Sequence, residues 1–160
     1  GKEDTAFTIQ YDFVMPKRFN LTYVDKDNSE KEAIVIHRSS VGAIERIMAF
    51  LIEKYEGSFP TWLSPVQVKV LPISDKHLEY SEKVFNDLLQ TGIRVEIDKN
   101  NETLGKKIRD AKMEKVPYLI VIGDKEVESG SLTIESRTDK QNLSITDFVE
   151  NLKLEIKERR

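Results

Sequence analysis

The sequence predicts an α/β protein in two parts: antiparallel strands with one helix, then a mixed sheet flanked by helices. Three observations carry this. Apolar residues alternate through much of the first third, strand and helix periods take turns from about residue 65 onward, and Pro117–Gly123 is almost wholly apolar. The rhythm changes near residue 60, so segments 1–60 and 61–160 are read as separate domains.

In the first segment, "AFTIQYDFVM" (Ala6–Met15) sets Phe7, Ile9, Tyr11 and Phe13 against Thr8, Gln10 and Asp12, the pattern of a half-buried strand. Pro16 ends it. "RFNLTYV" places Phe19, Leu21 and Tyr23 on one side of a second strand, Asp25–Glu32 is a polar turn, and "AIVIH" (Ala33–His37) is a third strand. The period then becomes helical: Ile44, Ile47, Met48, Leu51, Ile52 and Tyr55 share one face, with Ser39 or Ser40 as cap and Gly57 as stop. Gly57–Pro65 has the composition of a linker, yet Phe59, Trp62 and Leu63 argue that it packs against something.

The second segment opens with a strand, "VQVKVLPI". Asp75 is expected to cap a helix carrying Leu78, Val84, Phe85, Leu88 and Leu89, which Gly92 stops. The strand "IRVEID" leads to a helix over Leu104–Lys115, whose buried face is Leu104, Ile108 and Ala111. Lys106, Lys107, Arg109, Lys112 and Lys115 are read as lying outside that face. "PYLIVIG" is a central strand covered on both faces, Gly123–Gly130 a turn-rich loop, and "SLTIESR" another strand. Asn142 or Ser144 opens a last helix with Ile145, Phe148, Val149, Leu152 and Ile156.

Composition narrows the function. A net charge of −3 leaves any nucleic-acid contact to a local patch. The absence of cysteine excludes thiolate zinc sites and cysteine nucleophiles from this segment. No apolar run reaches the ~20 residues a bilayer span needs, so the expectation is cytoplasmic, without a membrane partner. No Ser/His/Asp set, P-loop or dinucleotide fingerprint is visible. A chain opening on Gly rather than Met reads as part of a longer protein.

The chemistry-bearing residues fall in four places. His37 ends a strand, where a hydrogen-bonded structural histidine is favoured over a metal ligand. Arg46 lies about 200° from Ile44 on the helical wheel, where its planar fork suits either a triphosphate or a solvated acid partner. Asn100–Lys115 is locally positive, suited to an RNA backbone or to an ordinary solvated face. Gly123–Gly130 ends a central strand, where open α/β sheets often bind ligands.

Order and wording add more. "TIQYDF", "LTYV", "IVIHRSSVGAIERIMAFLIEKYEGSFPTWLSPVQVKVLPISD" and "NETLGKKIRDAKMEKVPYLIVIGDKEVESG" together resemble the C-terminal part of the threonyl-tRNA synthetase family, from about Thr8 to Arg137. The resemblance implies that segment 1–60 is the end of a class II catalytic domain with its third motif, and that 61–160 is an anticodon-binding domain. It implies that Arg46 meets ATP phosphate, that His37 is one ligand of a zinc ion that reads threonine, and that Gln10 lies near the threonine pocket. Asn101, Arg109 and Glu126 match positions that meet the anticodon stem-loop, and an anticodon for threonine ends in G and U. The implied partners are threonine tRNA, threonine and ATP with magnesium.

Some positions depart from the family pattern. Thr5 and Phe7 stand where a glutamine and a glycine are usual, and Glu135 stands where an arginine helps to bind the anticodon. Arg137, two residues on, is the expected substitute. The first two class II motifs and the other zinc ligands would lie upstream. The chain alone is therefore expected to be catalytically inactive and not to bind zinc or ATP well; the parent enzyme is expected to be a homodimer and this chain a monomer. The alternative is a stand-alone accessory tRNA-binding protein derived from the synthetase. A small-molecule-binding α/β domain is a third, resting on fold alone.

Overall fold

The computed structural model describes Thr5 and residues 7–160; the expected strand start at Ala6 lies outside the described residues. The chain divides into two compact units, Gly1–Glu53 and Lys54–Arg160.

The first unit holds two small antiparallel pairs rather than one sheet. β1 (Thr8–Asp12) pairs with β4 (Val35–Ser39), and β2 (Thr22–Val24) pairs with β3 (Glu30–Glu32). The expected polar turn shrinks to Asp25–Ser29, closed by the Ser29 carbonyl accepting from Asp25 N, with Asn28 at a positive φ. Pro16 does end β1, but by opening a one-turn helix, α1 (Met15–Arg18), where its missing N–H costs nothing. Asp12 Oδ1 accepts the Val14 and Met15 amides at 2.9 Å each and fixes that turn.

Burial in β1 runs opposite to the expected pattern. Thr8 and Asp12 are partly covered while Ile9 and Tyr11 are exposed, as is Phe13 beyond the strand. In α2 (Ile44–Tyr55), Ile47 and Leu51 are half-covered, but Ile44 is 70% exposed and Met48 and Ile52 are open. The alternation forms the strands, but no described residue of this unit covers their apolar side.

The second unit follows the expected α/β rhythm. Its sheet runs in the order β6-β5-β7-β8-β9, comprising β5 (Val68–Pro72), β6 (Val95–Ile97), β7 (Tyr118–Ile122), β8 (Leu132–Ser136) and β9 (Lys140–Leu143). β5, β6 and β7 are parallel, while β8 and β9 are antiparallel additions. α3 (Leu78–Gln90) connects β5 to β6, and α4 (Leu104–Met113) connects β6 to β7. Right-handed crossovers to opposite sides of β5 send these helices to opposite faces of the sheet. Alternation along the strands confirms it. Val68, Val70, Ile120 and Ile122 join Val84 and Leu88 of α3 and Phe148 and Leu152 of α6 (Ile145–Glu158). Leu71 and Leu119 pack instead with Ala111, Leu104 and Ile108 of α4.

Gly57–Pro65, linker-like in composition, is a strap bound into this unit. Arg94 donates to the carbonyls of Ser64 (2.8 Å) and Trp62 (2.9 Å), and buried Gln67 donates to Thr61 O at 2.9 Å. The Thr61 hydroxyl donates to Glu155, whose other oxygen accepts from Tyr118 OH at 2.6 Å. Burial first, and then the neighbouring Glu155 carboxylate, push the Tyr118 phenol well above its ordinary range.

Candidate nucleic-acid interface

β5 has a neighbour on each side reached by crossovers on opposite faces, so the carboxyl ends of β5 and β7 flank the crevice where such sheets bind ligands. Gly123 lies there, immediately after β7. The expected loop Gly123–Gly130 instead holds a short helix, α5 (Asp124–Ser129), ended by Gly130 in the left-handed region at φ 69°. Glu126, 7% exposed, reaches back so that its Oε2 accepts from Gly123 N at 2.9 Å. Its Oε1 accepts from the Thr133 hydroxyl of β8 at 2.6 Å. Burial pushes the Glu126 carboxyl up, but these hydrogen bonds outweigh it and hold the group below its usual range. Glu126 is thus an ionised acceptor fixed in place, and it is one of the residues lining a cleft of about 510 Å³. Lys125, Lys140 and Asn142 also line it.

Close packing builds this corner. A Cβ on Gly123 would come within 2.6 Å of Ile73 Cδ1 and 3.4 Å of Glu126 Oε2. Gly123→Ala is therefore expected to displace the Ile73 tip and cost about 1 kcal/mol, read as a lowered Tm in thermal unfolding. Asp124, the first residue of α5, accepts from Lys76 Nζ (2.7 Å) and pairs with His77 Nε2 (3.1 Å). The Lys76 bond, with His77 second, holds its carboxyl below the usual range. Ser74 Oγ lies 3.0 Å from His77 Nδ1, so a Ser–His–Asp series exists that the sequence did not reveal. Ser74 and His77 belong to one local turn, a 3-10 turn over Asp75–His77 that precedes α3 and begins at Ser74 rather than at a capping Asp75. The series ties that turn to α5.

α4 supplies the second side chain group. Thr103 caps it, accepting from Lys106 N at 3.4 Å, and Asn101 is exposed in the loop before it. Lys106 is paired with Glu102 at 2.5 Å and Lys112 with Glu135 at 2.5 Å. Arg109 is exposed and its only acidic neighbour among the described residues is Asp110, at 4.0 Å. Lys107 corrects the expectation: it is 5% exposed, and its Nζ donates to Pro72 O at 3.2 Å and Asp98 O at 3.3 Å.

Arg137 is placed elsewhere. Thr133 pairs with Val121 and Ser136 with Tyr118, so the chain beyond Ser136 lies at the end of β8 remote from Glu126. The Arg137 guanidinium donates to Phe59 O (2.7 Å), Ser58 O (3.3 Å) and Lys115 O (2.5 Å). It fastens the strap, and the structure does not bring it to the Glu126 cleft. Glu135, two residues before it, is held by Lys112.

In the first unit, Gln10 and His37 are directly opposite across β1 and β4 and so share a face. Asp12, which the sequence did not mark, joins them: its Oδ2 lies 3.0 Å from His37 Nε2. The Met15 amide first, then His37, holds the Asp12 carboxyl below its usual range. His37 is exposed rather than part of a buried strand. No group of three or more potential ligands capable of holding a metal occurs among the described residues, whereas a catalytic zinc needs about three protein ligands. These residues alone do not fit that ion. Arg46 Nη1 donates to Thr5 O at 3.1 Å.

The fold of the second unit is that of an anticodon binding domain. A family model described as an anticodon binding domain matches residues 67–155, more than half of the chain, and the chain belongs to that family. A model of the class II tRNA synthetase core domain (G, H, P, S and T) matches residues 1–55. Among named relatives, the chain is 50% identical over 158 residues to the threonine–tRNA ligase of Clostridium botulinum, covering 98% of this chain. It is 46% identical over 162 residues to that of Thermotoga neapolitana, covering 100% of this chain. It spans 25% of the length of each. The crystal structure of the RNA binding domain of threonyl-tRNA synthetase from Cryptosporidium parvum Iowa II is similar at 33% identity and a TM-score of 0.77. The match covers 95% of this chain and 39% of that one. The resemblance read from the wording therefore holds along nearly the whole chain.

Proposed function

We propose that this chain is the anticodon-reading portion of a threonyl-tRNA synthetase, the ATP-dependent ligase that joins threonine to its tRNA in the cytoplasm. The observation that carries this is the fixed, ionised Glu126 in a cleft at the carboxyl edge of the parallel strands, in a chain about half identical to threonine–tRNA ligases. A carboxylate accepts from the N1–H and N2–H edge of guanine. Amide groups such as Asn101 pair with the donor and acceptor edge of uracil, and Arg109 suits a phosphate or a base carbonyl. Arg137 is left out of the reading set, because its guanidinium holds the strap.

Binding to a threonine tRNA, compared with a copy whose final two anticodon bases are exchanged, tests the proposal. Preference for the native anticodon and weakening with salt are expected; equal affinity for both would overturn it.

In the parent enzyme we assign Arg46 to ATP phosphate, with magnesium accompanying ATP, and Gln10 and His37 to the threonine and zinc side of the pocket. Their shared face supports the pairing of Gln10 with His37. The chain alone, proposed as a monomer, is expected to show no threonine-dependent ATP–pyrophosphate exchange. Exchange by the purified chain that is lost in Arg46→Ala would refute that expectation.

A further inference from the structure

We infer that Lys107 is a positioning residue of the base-reading site, and that its buried ammonium sets the loop bearing Asn101. This rests on the base-reading role proposed for Asn101. Lys107 is 5% exposed, and no carboxylate pairs with it among the described residues. Burying an ammonium without a counter-charge is expensive, and an apolar side chain of similar length would fill the same space without that cost. Filling the core therefore does not explain the charge.

The bonds it makes do. Lys107 lies four residues after Thr103, the cap of α4, and its Nζ donates to Pro72 O, at the end of β5, and to Asp98 O, just after β6. Asp98 is tied to β5 again through its amide, which donates to Val70 O at 3.0 Å. From Asp98 the restraint passes outward: its Oδ1 accepts from Asn100 N at 2.9 Å, and Asn100 O accepts from Glu102 N at 2.9 Å. Asn101 is the residue between these two bonded neighbours. One ammonium thus joins the start of α4, the end of β5 and the base of the loop, so Asn101 is presented from a fixed support rather than from a free turn.

Two measurements on the full chain test this. The first uses an anticodon stem-loop ending in G and U and a copy with those bases exchanged. Lys107→Met is expected to lower the preference about tenfold, the size of one lost base contact. Adding Asn101→Ala should lower it no further, because both changes remove the same contact. Unchanged preference with a lowered Tm, or effects that multiply in the double variant, would show a merely structural role and overturn the inference. The second measurement needs no RNA. Amide exchange at Asn100 and Glu102 should accelerate at least about tenfold in Lys107→Met while the β7 amides hold. Unchanged exchange in the loop would refute the inference. If the wild-type chain shows no preference, the base-reading proposal falls by itself, and exchange still decides whether Lys107 sets the loop. Should Lys107→Met fail to fold, Lys107→Gln, which keeps a donor group on a shorter side chain but loses the charge, is read in the same two ways.

Discussion

Glu126→Gln is expected to lower discrimination for the native anticodon by about 1–3 kcal/mol, measured as the ratio of stem-loop affinities. The reason is sign as much as geometry. A carboxylate has only acceptors, whereas a glutamine amide brings two donors, which face the donor edge of guanine as like against like. The Gly123 amide and the Thr133 hydroxyl compound the effect, since both donate to Glu126 and an amide nitrogen can accept from neither. A further part of the loss therefore appears as instability of the α5 corner. pH gives a second reading of the same group. Burial opposes ionisation, but the Thr133 and Gly123 bonds prevail and depress the carboxyl. A group with a depressed pKa contributes stability that is fully present above its unfolded value, and that contribution is lost as pH falls through the folded one. Discrimination should thus be flat from neutral pH down through the ordinary glutamate range and fall only below it. A midpoint near neutrality would mean that another group reads the base.

Arg137→Ala is expected to destabilise the second unit by about 1–3 kcal/mol while leaving base preference unchanged. Its guanidinium serves carbonyls of Ser58 and Phe59 in the strap and of Lys115, which turns the chain after α4 at a positive φ. Water can reach part of this arginine, which keeps the cost below that of a buried network. Denaturant unfolding beside stem-loop binding separates the two outcomes. A tenfold loss of base preference at unchanged stability would return Arg137 to the reading site.

The second unit was largely legible because its long periodic segments carry their own partners. Val68–Pro72, Tyr118–Ile122 and the α3 and α6 stripes find one another within the unit. The shorter elements were not legible. α5 has one apolar residue, Val127, and its cap is a glycine, so neither periodicity nor a Ser/Thr capping pattern announces it. β9, "KQNL", is an edge strand with little to bury. Lys107 shows a subtler failure. Three residues from Leu104 and four from Ala111, it lies within the buried stripe, and only its charge argued it out. In the first unit β1 formed as the alternation predicted, but its apolar side is the open one, because burial depends on what packs against a strand.

The sequence by itself determined the longer strands and helices of the sheet-bearing unit and the family membership suggested by its wording, and that resemblance nominated Asn101, Arg109 and Glu126. The elements follow from local periodicity and the membership from short stretches of wording, neither of which needs knowledge of distant partners. Only the tertiary structure decided what each side chain is free to do. It brought Thr133 and Gly123 to Glu126 and kept that group ionised. It buried Lys107 beneath two carbonyls and spent Arg137 on a strap 78 residues away in sequence. A side chain's charge is written in the sequence, but whether that charge is already satisfied depends on the neighbours that folding delivers.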